Sequence, residues 1–151
     1  MVEKTLFRAA DADSAVTRIE RLRPDSKALW GKMDCAQMLT HCQVPLRVAT
    51  GEKKLKRMLI GVLLGRIAKK KLMKPGDYKR NLPTHPDFVI RDKRDFAREK
   101  AELVRLIRGF QKGGPAGLTT EPHAFFGPMT QDEWEILMWK HLDHHLKQFG
   151  A

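Results

Sequence analysis

Two histidines near the end of the chain, His141 and His145, stand four positions apart in the run His141-Leu142-Asp143-His144-His145. In a helix of about 3.6 residues per turn, that spacing stacks both imidazoles on one face, where they can point at a single atom. The same face carries Trp134, Leu137, Met138 and Phe149 in the i, i+3, i+4 pattern of a buried stripe. Apolar burial does not call for paired imidazoles, and two neutral rings side by side need partners for their ring nitrogens. Either a divalent metal supplies those partners, or the pair are core histidines satisfied by neighbouring side chains and water. A third ligand would favour the metal, and His41, far upstream, is the candidate. Three imidazoles with one open position are the donor set of a catalytic zinc site, and they suit nickel or ferrous iron as well. Such an ion acidifies a coordinated water or thiol and polarises a carbonyl. The zinc-protease motif His-Glu-x-x-His is excluded, because Leu142 holds the place of its glutamate.

The elements that must position these residues read as helices. Asp13 or Ser14 is the expected cap of a first helix, which carries Val16, Ile19 and Leu22 on one side and ends before Pro24. Asp34, with Gln37 three residues on, has the form of a capping box and opens a second helix. Met38, Leu39, Cys42, Leu46 and Ala49 mark its inward face, with His41 at the border. Pro45 removes the amide that would bond the His41 carbonyl, so the helix either kinks there or ends near Gln43 and restarts. Residues 53–74 alternate Leu, Met, Val and Ile with lysines and arginines, as an amphipathic helix with a basic face does, until Pro75 and Gly76 stop it. An irregular crossover follows over 77–93, with at most a short extended piece at 88–90. A further helix is expected from about Asp95 to Gln111, closed by Gly113, Gly114 and Pro115. Thr130 and Glu133 form a second capping box that launches the last helix. Four or five helices without a confident strand predict an all-α fold, a four-helix bundle with long crossover connections.

Composition narrows the rest. A chain of 151 residues is expected to form one domain, 1–151, that buries its own core. No stretch is long and apolar enough for a transmembrane helix, the N-terminus lacks the pattern of a signal peptide, and a cytoplasmic location is expected. Cys35 and Cys42 lie seven apart on one predicted helix, too far for a mutual disulfide, and read as free thiols. The net charge of +11 is concentrated: residues 51–80 hold eleven Lys or Arg against Glu52 and Asp77. That is a local patch for anions, and it sustains a second functional reading: a non-enzymatic module that meets anionic lipid or nucleic acid through the helix Lys53 to Lys74.

The block "MDCAQMLTHC" around His41 and the ending "HAFFGPMTQDEWEILMWKHLDHHLKQFG" resemble the DinB/YfiT-like superfamily of four-helix metalloenzymes, and within it the DUF1569 subgroup. The resemblance implies one metal-ligand histidine on an early helix and a His-x-x-x-His pair on a late one, the second followed by a basic residue and a glutamine. His41, His141 and His145 map onto those three ligands, with Lys147 and Gln148 following. It implies metal-dependent transfer of a low-molecular-weight thiol such as bacillithiol, mycothiol or glutathione, thiol-assisted isomerisation, or metal-assisted hydrolysis. The basic helix would then hold a small anionic substrate, and a homodimer is expected. His144 points about 100° around the helix from His145 and is placed outside the ligand set. Asp143 is expected to face solvent or a salt-bridge partner. His123 lies in a loop that in relatives often reads His-Pro-Phe-Phe-Gly, here with Ala124 in place of the proline; it is a candidate general acid/base or substrate contact.

Overall fold

The computed structural model describes residues 3–151. Among them are five α-helices and no strand: α1 Ala9–Arg21, α2 Cys35–Ala49, α3 Leu59–Leu72, α4 Phe96–Gly113 and α5 Gln131–Gln148. Two 3-10 turns, Pro86–Phe88 and Pro115–Gly117, sit in the connections. None of these helices is long and apolar enough to cross a membrane.

Helix α2 is the centre of the molecule. All of its residues except Gln37 and Arg47 are buried, and it packs against α4 and α5, while α1 packs against the same two helices. A helix buried all round needs apolar or small residues on every face, which Met38, Leu39, Cys42, Val44, Leu46, Val48 and Ala49 supply. The capping box at its start is formed: Gln37 N–H donates to the Asp34 carboxylate (2.8 Å), and Asp34 N–H donates to the Gln37 side-chain oxygen (3.0 Å). Pro45 lies inside one continuous helix, so of the two outcomes open at that position the helix does not stop and restart. The last helix opens on the second capping box, Thr130 with Glu133, as expected. Helix α4 likewise starts on the Asp95 side chain and ends at Gly114, whose φ of +56° favours a residue without a Cβ.

Three expectations are corrected. Helix α1 starts at Ala9, before Asp13 and Ser14, and its N-cap Arg8 makes no side-chain cap. Asp11, in the first turn, ties the preceding segment to the helix instead, accepting from Thr5 N–H (3.1 Å) and pairing with Arg8 (2.9 Å), and its negative charge suits that end of the helix. The irregular crossover, allowed at most a short extended piece at 88–90, forms the 3-10 turn Pro86–Phe88 instead, where Pro86 presets φ and the His85 ring accepts from Asp87 N–H (3.1 Å). The largest correction concerns α3. It begins at Leu59, not near Lys53, and turns its glycines inward, so Leu59, Ile60, Val62, Leu63, Leu64 and Ile67 are exposed. A Cβ at Gly61 would stand 2.6 Å from the Phe125 carbonyl oxygen, and one at Gly65 would meet the same atom. The Gly61/Gly65 spacing therefore admits a loop backbone, not a second helix. Lys69 completes the attachment, donating to the Pro128 carbonyl (2.7 Å) and to Glu133 (2.9 Å).

Candidate metal centre

His41 comes from the middle of α2, and His141 and His145 come from successive turns of α5; the packing of those two helices brings the three rings together. The Nε2 atoms of His41 and His141 are 3.0 Å apart. One ligand atom from each of the three residues lies within 4.8 Å of the other two. Nitrogens that bind one tetrahedral ion at about 2.0–2.1 Å stand about 3.3 Å from each other, so changes in separation of between a few tenths of an ångström and about 1.5 Å would seat an ion among these three. The sequence-predicted trio is thus the set of residues the structure brings together.

Tautomers can be assigned from the surroundings. A carbonyl only accepts, so His41 Nδ1 must donate to the Phe88 carbonyl (2.8 Å), which leaves His41 Nε2 bare in the neutral ring. The Gln148 side-chain NH₂ donates to the Trp30 carbonyl (2.7 Å), which fixes the amide so that its oxygen faces His145. His145 Nδ1 therefore donates to Gln148 Oε1 (2.7 Å), and its Nε2 is bare as well. Gly31 is needed for this arrangement, since a Cβ there would stand 2.6 Å from the Gln148 nitrogen. A ligand histidine whose other nitrogen donates to an acceptor is held in orientation and made more basic. Gln148 as the orienting group of His145 was missed in the sequence. Its signal was available, because three positions after His145 on a helix is within side-chain reach.

Electrostatics keep all three rings neutral. Burial is the main cause that pushes each pKa down: His145 falls to about 3 with the charge of His41 adding to it, His141 goes well below the ordinary value with His145 and His41 adding to it, and His41 moves the same way against the opposing pull of the Phe88 hydrogen bond. Neutral imidazoles present lone pairs, the form a metal takes.

The remaining candidates fall outside the cluster. His144 is half-buried, edge-on to His145 at 5.1 Å between centroids and near Trp30 and Tyr78. Asp143 is salt-bridged to Arg18 (2.7 Å) and Lys147 (2.9 Å), one of its two expected roles. His123 accepts through Nδ1 from the backbone amides of Phe125 and Phe126 (3.1 and 3.2 Å) and stacks on Phe126, which makes it the keystone of the loop that α3 sits on. A cavity of its own adjoins it, walled by Val48, Leu55, Thr119, Pro122 and Trp134, apart from the three-histidine cluster. Cys35 is buried, and burial followed by the Asp34 charge raises its pKa to about 11, so the activation that an exposed helix N-terminus would give does not arise. Cys42 is a core residue in contact with Met38, and both thiols are free.

The model of one family, described as a protein of unknown function, DUF1569, matches residues 1–151. The chain belongs to the DUF1569 family. No curated protein and no solved structure matches it. The DUF1569 match runs through α2 and α5 and therefore spans all three clustered histidines, together with Gln148 and the Trp30–Gly31 turn that orients it.

Proposed function

We propose that this DUF1569 chain is a divalent-metal-dependent enzyme of the DinB/YfiT-like kind, built as a four-helix bundle of α1, α2, α4 and α5, with His41, His141 and His145 as the metal ligands. The observation that carries the reading is the assignment of tautomers: two Nδ1–H groups are held by acceptors outside the cluster, so bare Nε2 atoms are turned inward onto a third imidazole. Both acceptors pull the Nδ1–H groups outward and leave His41 Nε2 only 3.0 Å from His141 Nε2, so the one inward proton this cluster needs is the one a metal replaces when it binds. A bound zinc, nickel or ferrous ion supplies Lewis acidity toward a carbonyl and lowers the pKa of a coordinated thiol or water. The reactions that suit it are transfer of a low-molecular-weight thiol or hydrolysis, on a small anionic substrate.

The chain's own part is to hold the ligand rings. Phe88 and Gln148 fix two of them, Trp30 fixes Gln148, and Trp30 and Tyr78 pack against His144, which lies edge-on to His145. Arg80 lies over the Trp30 ring (4.2 Å) and places a cation near that wall, where an anionic group would be attracted. The two free thiols agree with a reducing, cytoplasmic setting. His123 is outside this constellation, and its proposed role is to shape the loop.

Elemental analysis of the purified chain and of His141→Ala tests the reading. The native chain is expected to carry about one equivalent of a first-row divalent metal per chain and the variant almost none. Equal metal content in the two would remove His141 from the ligand set and the proposal with it.

A further inference from the structure

The three-histidine centre makes no use of the outer face of α3. On it Leu59, Leu63 and Ile67 are 86%, 79% and 68% exposed, and their spacing of four makes one ridge; Ile60 and Leu64 make the next. Monomeric proteins seldom leave so many large apolar side chains contiguous in water. The first ridge passes into Lys71 and the row of Val62 into Arg66, Lys70 and Lys74, all exposed, and the segment before the helix exposes Lys54, Lys56 and Arg57. The apolar patch is thus flanked by cations at both ends. A shallow open groove beside it is lined by Arg66, Lys69, Lys70, Met73 and Lys74, with Glu133 at its edge already paired to Lys69. The inward face is fixed by the glycine contacts with Phe125, so α3 cannot roll to hide its leucines without breaking them.

We propose that α3 is a membrane-surface element that lies in the headgroup region of an anionic phospholipid bilayer. The apolar ridges enter the acyl boundary while the flanking lysines and arginines meet lipid phosphates, the geometry of an interfacial helix. Lysine stems lie along the apolar surface and carry their ammonium groups out to the headgroups. Charge decides among occupants. A second copy of this face, parallel or antiparallel, would oppose cations to cations at both flanks. A nucleic acid would take the cations and leave Leu59, Leu63 and Ile67 in water. An anionic bilayer satisfies both halves of the surface. At about 1.5 Å per residue, the fourteen residues of α3 are about 21 Å long, enough to lie on a bilayer and too short to span it.

Co-sedimentation of the full chain with vesicles of phosphatidylcholine alone, or mixed with phosphatidylglycerol, tests this. Binding is expected to the mixed vesicles at low salt and to fall as salt rises. Leu63→Glu with Ile67→Glu is expected to abolish it, and Lys70→Glu with Lys71→Glu to weaken it by at least about tenfold. All four side chains are exposed, so the variants keep their helical circular dichroism and their metal content, which separates this proposal from the metal reading. Failure of the native chain to sediment with anionic vesicles at low salt overturns it. So does unchanged binding by the Leu63/Ile67 variant, which would reduce the interaction to adsorption by charge. A dimer in sedimentation velocity that this variant dissociates, without vesicle binding, would assign the face to a second copy instead.

Discussion

At the scale of single residues, orientation of the ligands depends on groups that touch no ligand site themselves. Gln148 links the Trp30 carbonyl to His145, and both of its amide atoms are in use. Replacing it with Leu keeps the volume and removes the acceptor, so His145 is free to change tautomer or to turn. Metal affinity is expected to fall about 10–100-fold, measured by competition with a chromophoric chelator, while His141→Ala loses the metal outright. His123 makes a different prediction. Burial, followed by the charges of His85 and Lys69, lowers its pKa from 6.5 to about 4. Between those values the unfolded chain binds a proton at this residue and the folded chain does not, so stability is highest above 6.5 and declines as pH falls toward 4. His123→Gln, which retains an acceptor for the Phe125 and Phe126 amides, should flatten the pH dependence of unfolding in that window by up to about 1.4 kcal/mol per pH unit, measured by urea titration.

At the scale of elements, α3 sets two small effects against each other. Alanine in place of a helical glycine ordinarily stabilises by about 1 kcal/mol. At Gly65 the new methyl would meet the Phe125 carbonyl, which belongs to a backbone held by His123, and overpacking of this kind costs about 1–3 kcal/mol. Packing wins, so Gly65→Ala is expected to loosen α3 and raise hydrogen exchange along Leu59–Leu72, whereas Gly113→Ala, with open space around its Cβ, should not. The same helix shows where sequence reading stops. Both capping boxes, the glycine stop of α4 and the His141/His145 pairing are local in sequence, set by side chains three or four positions apart, and were legible. The facing of α3 was not, because its partner is a loop some sixty residues later and its contact surface is the absence of two Cβ atoms. Hydrophobicity alone would turn Leu63 and Ile67 inward; the space left by Gly61 and Gly65 puts them outward. The start of α1 escaped for a similar reason, since Asp11 anchors it from inside the helix while Arg8, an unremarkable cap residue, stands at its boundary. At the candidate site the ligands were legible and their supports were not. Phe88 and Trp30 act through backbone carbonyls, which every residue has.

At the scale of the whole molecule, the centre joins distant parts of the chain. His41 and His141 are 100 positions apart, and the connections supply the carbonyls of Phe88, which orients His41, and of Trp30, which orients His145 through Gln148. In the unfolded chain only the His141/His145 pair remains close, so an ion binds the folded state far better and stabilises it by mass action, about 2.7 kcal/mol at a hundredfold excess over Kd. Thermal unfolding should therefore shift upward with added zinc or nickel and downward with a chelator, and His41→Ala should remove most of the shift although it leaves the local pair intact. Both thiols sit in the interior on α2, so this fold has no disulfide to staple it. An ion held between α2 and α5 would act as that staple. Closing a loop of a hundred residues restricts the unfolded chain by about 4.7 kcal/mol in the entropic limit, and this cross-link, unlike a disulfide, is opened by a chelator and not by a reductant.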